Sequence, residues 1–396
     1  PSFFVCTGRY IWSNMADFIF RISPNIVLGP YTLSRIGQYV REYGSRFLII
    51  MDPILKEVNL ADKLIEPLSE RKIDYFIFNE FGESADTKTV ERILALARDG
   101  RIHGIIAAGG SKVLSVASAV ASLYNENHDL YDYVDGAVPT TGALPLVCVP
   151  TTVRAPFIYT NMIPIVDSRS RQIKLLKAQS TLCKLAVIDP NLTLTLTDNQ
   201  NTAMAVETMC LAFEAYLSQK ASFFSDMLVE KSIELMGYAL CGSPTLEITT
   251  PEEILKSQAG CMASLAAAAS APGLGSLLSL CINSRLGVSR SLIASILFPS
   301  IIEDAGKFKV ERVEKLAHIS RIVSSDVYGE EAAARFAEYI RQLLAKANLP
   351  SRIKELSISI QQLALPAEDA GRLELANTLP RSMSSDDLFD FIKSVY

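Results

Sequence analysis

The chain has 396 residues, enough for two domains that each bury a core, and 43 acidic against 38 basic side chains leave a formal net charge of -5. No stretch gathers Lys and Arg into a stripe that would track a phosphate backbone, which argues against a nucleic-acid partner. Seven cysteines are scattered with no C-x-x-C pair, reading as reduced thiols in a cytoplasm, and three histidines (His103, His128, His318) leave little room for imidazole chemistry.

No basic region followed by an apolar stretch and a cleavage site opens the chain, so no secretory signal is expected, and residues 1–14 read as an extension ahead of Met15. From Asn25 to about Pro190, short β-branched runs alternate with amphipathic stretches. Phe47–Met51, Tyr75–Phe78, Ile102–Ala108, Leu146–Val149 and Leu185–Ile188 read as strands, with helical spacing at Ser34–Tyr43 and Thr87–Arg98. The first part, 1–190, is therefore expected to be an α/β domain with a doubly wound, mainly parallel sheet that binds its ligand beyond the strands' carboxyl ends.

After Asp189-Pro190 the character changes. Long apolar-periodic segments follow at about 198–217, 224–240, 252–271, 289–304, 308–323 and 331–346, so 191–396 is expected to be an all-helical domain. Ser257–Ser284 carries no charged side chain and is long enough to weigh as a membrane span, but Pro272-Gly273 and Gly275 interrupt it. Two closely packed helices in a protein without a membrane partner are the better reading.

Ile105-Ile-Ala-Ala-Gly-Gly-Ser-Lys-Val-Leu-Ser115 passes from a strand through two glycines into a helix, where free N–H groups and the helix dipole favour an anion such as a nucleotide pyrophosphate. Gly109, Gly110, Ser111 and Lys112 are the candidate contacts, although a Gly-Gly turn also serves simply to turn tightly. Asp52 ends its strand where a carboxylate would accept from ribose hydroxyls and repel a 2′-phosphate, favouring NAD over NADP; it would equally shape the Asp-Pro turn. Thr151 and Thr152 offer hydroxyls at the same edge, or cap a turn there.

The order of these pieces resembles the iron-containing alcohol dehydrogenase family, kin to glycerol dehydrogenases and dehydroquinate synthases, from about Phe18 to Tyr396. The resemblance rests on Phe20-Arg-Ile-Ser-Pro-Asn-Ile-Val-Leu-Gly29, Gly109-Gly-Ser-Lys112, Val149-Pro-Thr-Thr152, Val187-Ile-Asp-Pro-Asn-Leu-Thr193, Phe213-Glu-Ala-Tyr-Leu-Ser218, Leu349–Leu356 and Asn377-Thr-Leu-Pro-Arg381. It implies NAD(P) in an interdomain cleft, a homodimer, and an iron or zinc held by one Asp and three His, acting as a Lewis acid on an alcohol.

Carried over position by position, those four ligands fall on Glu207, Leu211, Ser276 and Arg290, and no histidine occurs between residues 129 and 317. Iron or zinc is therefore not expected, whereas a place for NAD remains. The acidic residue one turn into the phosphate-loop helix is replaced by Ser115, and the small-residue segment after the Thr pair becomes Val153-Arg-Ala-Pro-Phe157, which brings bulk and charge to a place of close approach.

Glu207 in Ala205–Tyr216 needs a proton, a cation or a positive side chain if it is buried. Arg290 is the expected partner, so that a fixed cation fills the metal's space. A zinc set of Glu207, Cys210 and Cys281 is disfavoured, because Cys210 points about 100° around the helix from Leu211. The resulting expectation is a catalytically silent or strongly altered family member that retains nucleotide. The alternative is an NAD-dependent alcohol or aldehyde oxidoreductase without metal, for which Tyr159 and Lys174 are weak candidates as base.

Overall fold

The computed structural model describes residues 24–82, 84–242 and 250–396. Residues 1–14, and the start of the stretch that resembles the family's opening strand, lie outside the described residues. A six-stranded, all-parallel sheet has the order β1-β8-β5-β4-β2-β3. Its strands are β1 (Asn25–Leu28), β2 (Arg46–Met51), β3 (Asp74–Phe78), β4 (Gly104–Gly109), β5 (Leu146–Pro150) and β8 (Cys183–Ile188).

The strand sequences explain their places. Every residue of β4 and β5 is buried, as expected of strands covered on both faces, whereas β3 alternates and lies at an edge. One face of the sheet packs against helices α2 (Thr87–Asp99) and α3 (Ser111–Leu123); the other packs against α1 (Ala61–Glu70). Asp86 starts α2 by accepting the Thr89 N–H at 2.8 Å. Outside the main sheet, β6 (Met162–Val166) and β7 (Ile173–Lys177) form an antiparallel hairpin that the periodicity did not reveal.

The remainder is helical: α4 (Asp198–Leu217), α5 (Phe223–Cys241), α6 (Glu252–Ala269), α7 (Leu274–Leu286), α8 (Arg290–Phe308), α9 (Val310–Ile319), α10 (Gly329–Lys346), α11 (Ala364–Arg372) and α12 (Ser385–Ser394). Thr197 and Gln200 close a capping box at the start of α4. From Ala203 to Leu217 every residue of α4 is buried, so this helix is the axis of the domain and not a one-sided surface helix. Phe213, Phe298 and Phe336, from α4, α8 and α10, meet edge to face with ring centroids 5.5–6.3 Å apart.

The uncharged run splits into α6 and α7, which meet at a 94° bend, and among the described residues no single helix is long and apolar enough to cross a membrane. The Glu214 carboxylate starts α7. It accepts the Gly273 N–H at 3.0 Å, the Ser276 hydroxyl at 2.8 Å and the Gly275 N–H.

Candidate functional site

Three adjacent strands, β2, β4 and β5, end together, and their carboxyl ends carry all seven residues of the expected nucleotide edge. Gly109 is a packing glycine: a Cβ there would sit 2.7 Å from Val113 Cγ2 and 3.2 Å from Asp52 Cβ. Gly110 has open space beside it and caps α3 without a side chain, leaving the first-turn N–H groups uncovered. Asp52 Oδ1 accepts the Ile54 N–H at 3.2 Å, so the carboxylate does shape the Asp-Pro turn. Lys112 Nζ donates to the Gly82 carbonyl at 2.8 Å, tying α3 to the loop after β3. The Thr151 N–H extends the β4–β5 ladder to the Gly109 carbonyl at 3.1 Å, and the Thr152 hydroxyl donates to the Arg154 carbonyl at 3.0 Å.

The segment beyond Thr152 is held against α6. A Cβ at Gly260 would collide with the Val153 carbonyl, so only glycine admits this approach. One turn on, the Ser264 hydroxyl accepts the Ala155 N–H at 2.9 Å and donates to the Gly260 carbonyl at 2.7 Å. The backbone on both sides of Arg154 is thereby fixed, and the side chain runs into the seam between sheet and helices.

There Arg154 Nη2 donates to Glu207 Oε2 at 2.5 Å, and both side chains are more than nine-tenths withdrawn from water. Arg154 Nη1 donates to the Ser111 hydroxyl at 3.2 Å, and the Ser291 hydroxyl donates to the same Glu207 oxygen. One chain of contacts, Ser111–Arg154–Glu207–Ser291, buried at its centre and half-buried at its two serines, therefore joins the phosphate-loop helix α3 to α4 and to the first turn of α8.

This corrects the expected Glu207–Arg290 pair. Glu207 makes its ion pair with Arg154, and from the triplet Ser289-Arg290-Ser291 it is Ser291 that reaches the carboxylate. Arg290 stays close enough to feel both charges. Burial first, and the positive charge of Arg154 second, press its guanidinium down to about 10, against the opposing pull of Glu207. Of the other carried-over positions, Leu211 is buried, and the Ser276 hydroxyl is committed to Glu214. Cys210 is a buried thiol pushed well up by burial, and no group of three or more His, Cys, Asp or Glu side chains suited to a metal occurs among the described residues.

Sequence reasoning missed the role of Arg154 and Ser291. The signal lay in Val153-Arg-Ala-Pro-Phe157, where the charge was noted without its partner.

Against known proteins, residues 23–190 match the family described as iron-containing alcohol dehydrogenase, and residues 202–396 match the C-terminal part of the Fe-containing alcohol dehydrogenase family. This chain belongs to the iron-containing alcohol dehydrogenase family. It is 26% identical over 212 residues to long-chain-alcohol dehydrogenase 1 of Geobacillus thermodenitrificans, a match spanning 52% of this chain and about half, 53%, of that protein. It is 22% identical to the NAD-dependent methanol dehydrogenase of Bacillus methanolicus over 95% of this chain and 99% of that protein. An alcohol dehydrogenase from Oenococcus oeni has the same fold, with a TM-score of 0.85 over 94% of this chain and 98% of that one at 18% identity.

Proposed function

We propose that this family member keeps a place for NAD(H) but has exchanged the divalent metal for the guanidinium of Arg154, and is catalytically silent or strongly altered toward alcohols. The carrying observation is the Arg154–Glu207 ion pair at 2.5 Å. The residues present do not fit an iron or zinc. One carboxylate oxygen is taken by a guanidinium and a hydroxyl, Leu211 has no donor atom, Ser276 is spent on Glu214, and Arg290 is itself a cation. A guanidinium neutralises the carboxylate but has no open coordination position to offer a substrate oxygen.

Nucleotide binding is supported by the uncovered start of α3 at Gly110 and by the convergence of Asp52, Gly109, Ser111, Lys112, Thr151 and Thr152 on one edge. In this reading the protein works in the cytoplasm as a homodimer, with nucleotide and no membrane or nucleic acid as partner. The second reading, an NAD-dependent oxidoreductase of alcohols or aldehydes without metal, is less favoured because its candidate base Tyr159 is sealed off. The Tyr159 hydroxyl is buried against Cys261 Sγ at 3.8 Å, and burial pushes it well above the usual tyrosine range.

The test combines metal analysis of the purified chain, titration of NADH, and turnover of a panel of short alcohols and aldehydes. Metal-free protein that takes up NADH with a dissociation constant on the order of micromolar and turns over nothing is the expected result. Stoichiometric iron or zinc, removed by chelator with a fall in Tm, would sink the exchange. Absence of NADH binding at millimolar concentration would sink the nucleotide part.

A further inference from the structure

An open cleft of about 830 Å³ lies between the sheet domain and the helices, away from the nucleotide edge. One wall is built from the ends of the β6–β7 hairpin and the first residues of β8; the other comes from Lys220 after α4, the end of α6 and the 3-10 turn Glu374–Thr378. Strand β8 runs parallel to β5, so Lys184, its second residue, stands at the amino end of the sheet. Asp52, Gly109 and Thr151 stand at the opposite, carboxyl end.

Four charged side chains line the cleft, and three of them are lysines. Lys177 Nζ pairs with Glu374 Oε2 at 2.6 Å and so bridges the two walls. Lys184 and Lys220 are exposed and have no ion pair among the described residues. Two ammonium charges are thus left uncompensated in one concave place, where the field of each adds to that of the other. Ser180, Thr181 and Asn377 line the same cleft, and their side chains make no hydrogen bond to another described residue. Neither the nucleotide edge nor the Arg154–Glu207 seam uses any of these groups.

We infer that this cleft binds a small phosphorylated sugar, its phosphate facing Lys184 and Lys220 and its hydroxyls meeting Ser180, Thr181 and Asn377. A phosphate monoester carries about -1.5 to -2 charges at neutral pH, which matches two lysines. Lysine meets it as a mobile point charge, without the fixed fork that a planar carboxylate would favour. A sugar suits the rest of the wall, because its hydroxyls both donate to and accept from Ser, Thr and Asn side chains. An apolar body would find only a narrow strip from Met162, Ala271 and Leu375.

The probes are glucose 6-phosphate and ribose 5-phosphate, titrated into the full chain by calorimetry and followed by thermal unfolding at constant ionic strength. Glucose, inorganic phosphate and NADH are parallel arms. A sugar phosphate should raise Tm saturably, because it ties two domains together, with a midpoint on the order of 0.1–1 mM that rises with salt. Glucose alone should do nothing. Lys184→Gln and Lys220→Gln should each weaken binding about tenfold while leaving the ligand-free Tm near that of the natural chain, since both side chains are exposed. No shift with either sugar phosphate at about 10 mM, or variants that bind as tightly as the natural chain, would overturn the proposal. Inorganic phosphate binding as tightly as the esters would overturn the sugar assignment. NADH displacing the sugar phosphate would overturn a site separate from the nucleotide edge, whereas simultaneous binding of both supports it.

Discussion

The Arg154 guanidinium and the Glu207 carboxylate meet at 2.5 Å across the seam between the parallel sheet and the helices, each nearly sealed from water. Removing one partner leaves a buried charge without compensation, whereas removing both leaves only a packing change. Arg154→Met should therefore cost about 3–5 kcal/mol of unfolding free energy, and the double substitution with Glu207→Gln should recover most of it. Urea denaturation of the two single variants and the double variant measures this. Additive losses would mean that the two groups act independently.

Gly109 and Gly110 are adjacent, yet opposite effects are expected of them. Gly109→Ala drives a methyl to within 2.7 Å of Val113 and should cost about 1–3 kcal/mol through overpacking. Gly110 lies at φ -79° with nothing near its Cβ position, so Gly110→Ala should leave Tm close to that of the natural chain while weakening NADH uptake by crowding the start of α3. Tm and NADH titration on both variants check the pair. Full NADH affinity in G110A would move the nucleotide away from this loop.

Glu126 provides the pH dependence. Its buried carboxylate accepts from the Thr141 hydroxyl at 2.6 Å, from the Tyr133 hydroxyl, and from the Thr140 and Thr141 N–H groups at 2.7 and 2.6 Å, pinning the stretch that leads into β5. These bonds, the Thr141 and Tyr133 hydroxyls first, hold it down from 4.5 to about 2. A lowered folded value means that the stabilisation is fully present above the unfolded pKa of about 4.3 and is lost as pH falls through about 2. Glu126→Gln should destabilise by roughly 1.5–3 kcal/mol at neutral pH. Its deficit should shrink between about pH 4.5 and 2, read by denaturation at a series of pH values. A deficit that does not change with pH would remove the carboxylate's charge from the account.

The elements that could be read were those whose local chemistry is complete in itself. Helix α4 begins at Asp198 and ends at Leu217, as its spacing indicates, because Thr197 and Gln200 form the cap within four residues of each other. Strands β4 and β5 are unbroken apolar runs, which only a strand covered on both faces requires. The hairpin β6–β7 escaped notice because Pro164 interrupts the first strand and Lys174 and Lys177 the second, so neither shows a clean alternation. Helix α1 escaped because Pro67 stands inside it.

By itself the sequence determined the family's architecture and the absence of histidine from the expected ligand positions, since periodicity, caps and residue identity are local properties. Only the tertiary structure decided which cation meets Glu207. Arg154 lies 53 positions away and Arg290 lies 83, and chain separation carries no information on which guanidinium arrives. Arrival is set by the approach of Val153 to Gly260 and by the Ser264 hydroxyl on the Ala155 N–H, contacts between distant segments that exist only once the sheet and the helices have packed.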